Sequence, residues 1–297
     1  MKKKSMLKNN QIAITGCGHI GKLLAQQLLK KKIPVKGYVS SESSLAECHN
    51  RNIVCEIIDL DAGPDAALQN INLTGHRVIY FVPPPHSGKA DTRITNYLHA
   101  IEKHKPEKFV LISTTGVYGD CKGAWIDEST PLNPTADRAF RRADAEQQVQ
   151  QFCQQLNIPL VILRVAGIYG PGKIPLARIK SRQPIVNKQD SPFTNRIHAD
   201  DLVNICEQAL LDSRIKGIYN VTDGHPGTMY DYFVGVASAM DLPAPPAISL
   251  KEARNQLSEG MLSYMAESRR INNKKLLEDF ELVLQYPELQ AGLKHIV

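Results

Sequence analysis

The chain has 297 residues, of which 42% are hydrophobic and 22% charged. That composition excludes a disordered or fibrous protein and suits one large or two coupled globular domains. The net charge of +6 includes Lys2, Lys3, Lys4 and Lys8, and the remaining excess is small and dispersed, which argues against nucleic acid as a partner and fits small anionic ligands such as nucleotides.

Gln11–Thr15 reads as a first apolar strand. The run Gly16-Cys17-Gly18-His19-Ile20-Gly21 follows, and Ile20, Leu23, Leu24 and Leu28 then recur at helical spacing. A G-x-G-x-x-G turn between a strand and an amphipathic helix predicts a dinucleotide-binding loop. The first glycine permits the tight turn, the second lets the backbone approach a pyrophosphate, and the third lets the helix pack closely on the strand. The amides of the helix start and the helix dipole favour the anion.

Pro34 closes that helix, and Val35–Val39, Ile53–Leu60 and Arg77–Val82 read as the next strands, the last stopped by Pro83-Pro84-Pro85. A helix over 91–104 leads to a strand at Lys108–Ser113, and a helix over 135–156 leads to Pro159–Val165. Short apolar runs joined by helices predict a parallel sheet covered on both faces, with right-handed crossovers. The expected fold is α/β, a Rossmann-type doubly wound parallel sheet.

The pattern changes after Gly170-Pro171-Gly172. The stretch 173–195 lacks periodicity, a helix capped by Asp200 or Asp201 runs to Leu211, and Gly217–Val221 reads as one more strand. The expected division is a dinucleotide-binding domain over 1–165, completed by about 196–221, and a smaller C-terminal substrate lobe from 166–195 and 222–297. The six cysteines (17, 48, 55, 121, 153, 206) show no metal-ligand or redox-motif spacing, so no metal is expected and Cys17 reads as a small filler. The polar start Met1-Lys2-Lys3-Lys4-Ser5 is no secretory signal, and no apolar run of about 20 residues occurs. Reduced thiols in a cytoplasm and no membrane partner are expected.

Several segments together resemble the extended short-chain dehydrogenase/reductase superfamily, the group of NAD-dependent epimerases and dehydratases. They are the glycine loop, Ile58-Asp59-Leu60, the segment Ile112–Gly119 ending in Val-Tyr-Gly, Arg164–Gly172 and Asn195–Leu202. The resemblance implies that Asp59 and Leu60 lie against the adenine. It also implies cofactor contacts from Phe81, Val82, Pro83, Ser113 and Thr114. Such proteins catalyse with a Ser or Thr, a Tyr, and a Lys four residues after the Tyr. Thr114 falls at the Ser/Thr position, Arg138 at the Tyr position and Arg142 at the Lys position. No tyrosine occurs from 120 to 168, so the chain resembles an atypical bacterial branch that shares these segments and also lacks the tyrosine.

In the family's mechanism the phenol is the acid or base, and the Lys holds the nicotinamide ribose and lowers the phenol's pKa. Arg142 keeps the charge and the ribose contact but exchanges no proton near neutrality, its pKa lying above about 12. Arg138 has the same limit. Arginines grip phosphates and carboxylates well; equally, Arg138, Arg141 and Arg142 could form a solvated helix face. Thr114 either bonds a ligand or satisfies its own backbone. Tyr118 reads as structural, Tyr118 or Tyr169 being a weak substitute for the missing acid. His86 in the loop after the prolines is an acid–base candidate or simply solvated, and His198 reads as packed. The cofactor is NAD(P): the second strand ends without a carboxylate, and Ser40 and Ser41 could donate to a 2′-phosphate, which favours NADP slightly. The expected function is an oxidoreductase or epimerase-like enzyme on a small anionic or nucleotide-linked substrate, or a non-catalytic dinucleotide sensor. A homodimer through the 91–104 and 135–156 helices is also implied, with Phe140, Val149, Phe152 and Cys153 contributing.

Overall fold

Four consecutive buried residues make β1 (Ile12–Thr15), as expected of a strand covered on both faces. α1 (His19–Lys30) follows and buries Ile20, Leu24, Ala25 and Leu28 along one stripe. β2 (Val35–Val39), α2 (Glu42–His49), β3 (Val54–Ile57) and β4 (Arg77–Tyr80) come next. α3 (Thr92–Ile101), β5 (Lys108–Thr114), α4 (Asp137–Gln155), β6 (Leu160–Val165), α5 (Ala199–Leu211) and β7 (Gly217–Val221) follow. The computed structural model describes residues 11–63 and 71–296, so Lys2, Lys3, Lys4 and Lys8 lie outside it.

The seven strands form one sheet in the order β7-β6-β5-β4-β1-β2-β3. The pairings β1–β2, β1–β4, β2–β3 and β4–β5 are parallel. The order reverses between β1 and β4, where Thr15 stands opposite Tyr80. This is the expected doubly wound arrangement, and ligands of such sheets bind outside the carboxyl ends of the strands at that switch.

The chain divides into two compact units, one of 1–113, 140–163 and 203–217, the other of 114–139, 164–202 and 218–297. The second unit has its own core, with Tyr169, Ile185, Phe233, Val236 and Leu293 buried together. Around it run α6 (Met229–Ala239) and short strand pairs, such as Phe193–Thr194 with Gly227–Thr228 and Trp125–Ile126 with Arg270–Ile271.

One expectation changes here. The helix α5 starts at Ala199, and the Asp201 carboxylate accepts the amides of Gln285 and Tyr286 at 2.8 and 2.9 Å. On α4, Val149, Phe152 and Cys153 are buried within the chain, and the Lys89 ammonium lies over the Phe140 ring at 4.7 Å. Among the described residues no helix is long and apolar enough to cross a membrane.

Candidate functional site

The turn after β1 is held by main chain. The amides of Gly16 and Cys17 both donate to the Tyr38 carbonyl at 2.9 Å. Gly16 has φ +82°, and a Cβ there would lie 2.7 Å from the Val82 nitrogen. A Cβ at Gly21 would lie 3.2 Å from both the Gly16 carbonyl oxygen and Ile14 Cγ2, so helix and strand meet closely at that glycine. Gly18 differs: it is exposed, and a Cβ there would meet only the Gly16 oxygen at 3.9 Å. It caps α1 without a side-chain hydrogen bond, and the first turn, which begins His19-Ile20-Gly21, contains no acidic residue. An open glycine surface before an uncapped helix start fits a diphosphate.

Two arginines fix the exit of β4. Phe81 donates its amide to the Thr15 carbonyl at 2.8 Å, extending the β1–β4 register by one bond. The Arg142 guanidinium donates to the Val82 carbonyl at 3.2 Å. Arg93 donates to the Pro83 carbonyl at 3.0 Å and grips both oxygens of Asp61 at 2.7 and 2.6 Å. Phe81 and Val82 are half-buried and Pro83 is exposed, so this edge is rigid yet reachable. The Arg93–Asp61 clamp has no local sequence signal.

Beyond β3, Leu60 is buried and its carbonyl accepts from Asn96 at 2.8 Å. Asp59 is exposed and accepts the Asp61 amide at 2.9 Å, forming a local turn. Ser40 is exposed at the tip of β2. Ser41 caps α2, its hydroxyl accepting the Ser44 amide at 3.3 Å, with Glu42 in the first turn.

Ser113 is buried at the end of β5 and donates to Glu146 Oε1 of α4 at 2.5 Å, so its hydroxyl serves the scaffold. Arg142 lies one turn earlier on the same helix. Burial pulls its pKa down, while Asp91, Tyr80 and Glu146 pull it back up. Asp91 caps α3 by accepting the Ile94 amide at 3.2 Å; its Oδ2 and the Tyr80 hydroxyl are buried with no hydrogen-bond partner among the described residues. Arg142 is therefore a half-buried cation in an acidic setting, not part of a solvated face. Its neighbour Arg141 is also buried and donates to the Gly88 carbonyl. His86 is exposed on the same loop.

The remaining candidates belong to the second unit. Thr114 is half-buried, and its hydroxyl accepts the Gly116 amide at 3.2 Å, capping a three-ten turn over Thr115–Tyr118. Tyr118 is buried; it donates to Asn220 Oδ1 at 2.8 Å and accepts from Arg164 at 2.9 Å. Burial raises its pKa. Tyr169 is also buried, with its hydroxyl on the Glu288 carbonyl at 3.3 Å. Both phenols are structural. His198 lies against Tyr286 with ring centroids 3.8 Å apart and planes tilted by 41°, accepts the Asp200 amide at Nδ1, and has its pKa lowered by burial. Arg138 donates to Ser263 Oγ at 2.7 Å, and its guanidinium lies 4.1 Å from the centroid of the Tyr264 ring. Ser263 and Tyr264 were invisible as partners in the sequence because they lie on a separate short helix, Glu259–Met265.

A doubly wound sheet with a glycine turn at its switch point defines a nucleotide-binding α/β protein of the Rossmann class. The chain belongs to the NAD dependent epimerase/dehydratase family, which it matches over residues 12–222. Protein YeeZ of Escherichia coli K12 is 25% identical over 300 residues, covering 94% of this chain and 97% of that protein. Human dTDP-D-glucose 4,6-dehydratase is 31% identical over 130 residues, covering 41% of this chain and 37% of the enzyme. A conserved protein of unknown function from Silicibacter pomeroyi has a similar structure, with a TM-score of 0.82 at 27% identity over 97% of this chain and 98% of that one. The UDP-glucose 4-epimerase of Thermotoga maritima, solved with UDP-glucose, has a TM-score of 0.73 at 17% identity over 96% of each chain; this likeness is one of fold.

Proposed function

We propose that this chain binds a nicotinamide dinucleotide on the Gly16–Gly21 turn and acts as an oxidoreductase or epimerase-like enzyme on a small anionic, nucleotide-linked substrate. The observation that carries the reading is the pairing of an open Gly18 with an uncapped α1 start, directly beside the β4 exit. When bound, the nicotinamide supplies the hydride acceptor or donor. Asp59 and Leu60 bracket the adenine, and Phe81, Val82 and Pro83 line the dinucleotide's path. Thr114 uses its lone pair on Gly116, leaving its proton to donate to a ligand.

In this reading the usual Tyr–Lys pair is replaced by Arg138 and Arg142. Neither moves a proton near neutrality. Arg142, fixed on the Val82 carbonyl, holds the ribose region electrostatically, and Arg138 grips a substrate phosphate or carboxylate. The substrate falls to the lobe of 166–195 and 222–297, and the nucleotide to 1–165 completed by 196–221. The named epimerase and dehydratase relatives support a nucleotide-sugar substrate. Ser40 at a carboxylate-free strand tip tilts the preference slightly to NADP(H), with Glu42 limiting the tilt. A homodimer through the 91–104 and 135–156 helices is part of this reading, formed by side chains other than the buried Val149, Phe152 and Cys153. Six free thiols suit the cytoplasm.

A second reading, a dinucleotide sensor without turnover, is favoured by one observation: the Tyr118 and Tyr169 phenols are buried and hydrogen-bonded. Calorimetry tests the shared step. NADPH and NADH bind the wild type, NADPH somewhat more tightly, and Gly18→Asp abolishes both; unchanged binding in that variant defeats the proposal. Mass spectrometry of small molecules released from freshly purified protein, followed by turnover at the nicotinamide absorbance band, separates enzyme from sensor.

A further inference from the structure

Three cysteines that are distant in sequence converge in the first unit. The sulfur atoms of Cys17, Cys48 and Cys55 all lie within 4.8 Å of one another, and the side chains are 0%, 0% and 7% exposed. Each comes from a different element: the glycine turn, the last turn of α2, and β3. The shared space exists because residue 37, which stands opposite Cys55 on β2, is glycine. A Cβ there would lie 2.4 Å from the Cys55 sulfur and 3.3 Å from the Cys17 sulfur.

We propose that Cys17, Cys48 and Cys55 form a binding site for one soft, thiophilic d10 metal ion of the zinc, cadmium or copper(I) kind. Three thiolates bound at about 2.3 Å stand roughly 3.8–4.0 Å apart, a spacing this trio reaches with small side-chain rotations. An all-sulfur donor set selects soft ions over magnesium or calcium. Loading with a divalent ion exchanges three S–H bonds for three metal–sulfur bonds. It releases three protons and leaves a centre with a single negative charge.

Entry runs through the sheet edge. β3 is the terminal strand, and Cys48 is the single buried residue of α2. A short helix with so little buried surface opens locally at low cost. Once bound, the ion cross-links the glycine turn, α2 and β3, so it stabilises the fold whether or not a dinucleotide is present.

The test is titration of the full, reduced chain with cadmium(II) in a non-coordinating buffer. The readouts are thiolate-to-metal absorbance in the ultraviolet, native mass spectrometry and melting temperature. One equivalent binds, protons are released and the melting temperature rises. Cys48→Ala and Cys55→Ala weaken binding by more than the roughly 10–100-fold typical of losing an outer partner of a ligand. Gly37→Ala weakens it while keeping every thiol, and Cys121→Ala leaves it unchanged. Peptide mapping of the wild type gives a second measure independent of variant folding: cadmium protects Cys17, Cys48 and Cys55 from alkylation. No stoichiometric binding, or protection confined to Cys121, Cys153 or Cys206, overturns the proposal.

Discussion

Gly16 and Val82 are in main-chain contact: a Cβ on the glycine would stand 2.7 Å from the valine nitrogen, and the glycine's φ is +82°. The turn after β1 thus lies directly against the exit of β4, with no room for a side chain. Gly16→Ala therefore adds backbone strain on the order of 1–3 kcal/mol and displaces the β4 exit. Urea denaturation should show a lower midpoint, and dinucleotide affinity should fall with it. Gly18→Ala is the contrast: its Cβ meets only the Gly16 oxygen, at an ordinary 3.9 Å, so stability stays within about 1 kcal/mol while dinucleotide affinity still falls.

Ser113→Ala removes a donor from Glu146, a carboxylate only 1% exposed. Leaving a buried acceptor short of a partner costs about 1–3 kcal/mol. Chemical denaturation of the variant should show that loss, and Ser113→Thr, which restores a hydroxyl, should recover part of it.

Tyr118→Phe separates a structural role from a catalytic one. The phenol joins Asn220 and Arg164, and losing those bonds costs about 1–2 kcal/mol. Thermal denaturation should register the cost while dinucleotide affinity, measured by calorimetry, stays at the wild-type value.

Asp223 supplies a pH dependence of defined sign. Burial pushes its carboxyl up to about 7, against hydrogen bonding from the His225 amide and the nearby His225 and Arg196 charges. In the unfolded chain it loses its proton near pH ~4. Between those values the folded state binds more protons, so this group's contribution to stability falls as pH rises and levels off above about 7. Asp223→Asn should flatten that part of the stability profile; a slope identical to wild type between pH ~4 and 7 would contradict the assignment.

The β1–turn–α1 unit was legible because glycine spacing and apolar periodicity are local signals, and the structure places Ile20, Leu24 and Leu28 inward as that periodicity required. Strand ends were less legible. The strand expected at Ile53–Leu60 pairs over Val54–Ile57, and Asp59 then turns the chain by accepting the Asp61 amide. What could not be read was pairing between distant segments. Arg93 finds Asp61, Arg138 finds Ser263 and Tyr264, and Asp201 binds amides of the 280s instead of capping its own helix. The cysteine trio belongs to the same class: no spacing rule joins 17, 48 and 55, yet the parallel register of β2 and β3 does.

The hold of Asp201 on Gln285 and Tyr286 bears on how the molecule is made. A nascent chain still short of the 280s on the ribosome has no partners for this carboxylate, nor the Glu288 carbonyl that receives the Tyr169 hydroxyl. The unit that contains them can close only after residue 288 has been made, whereas the last segment of the first unit ends at Gly217, so that unit has the earlier opportunity to gather its own strands.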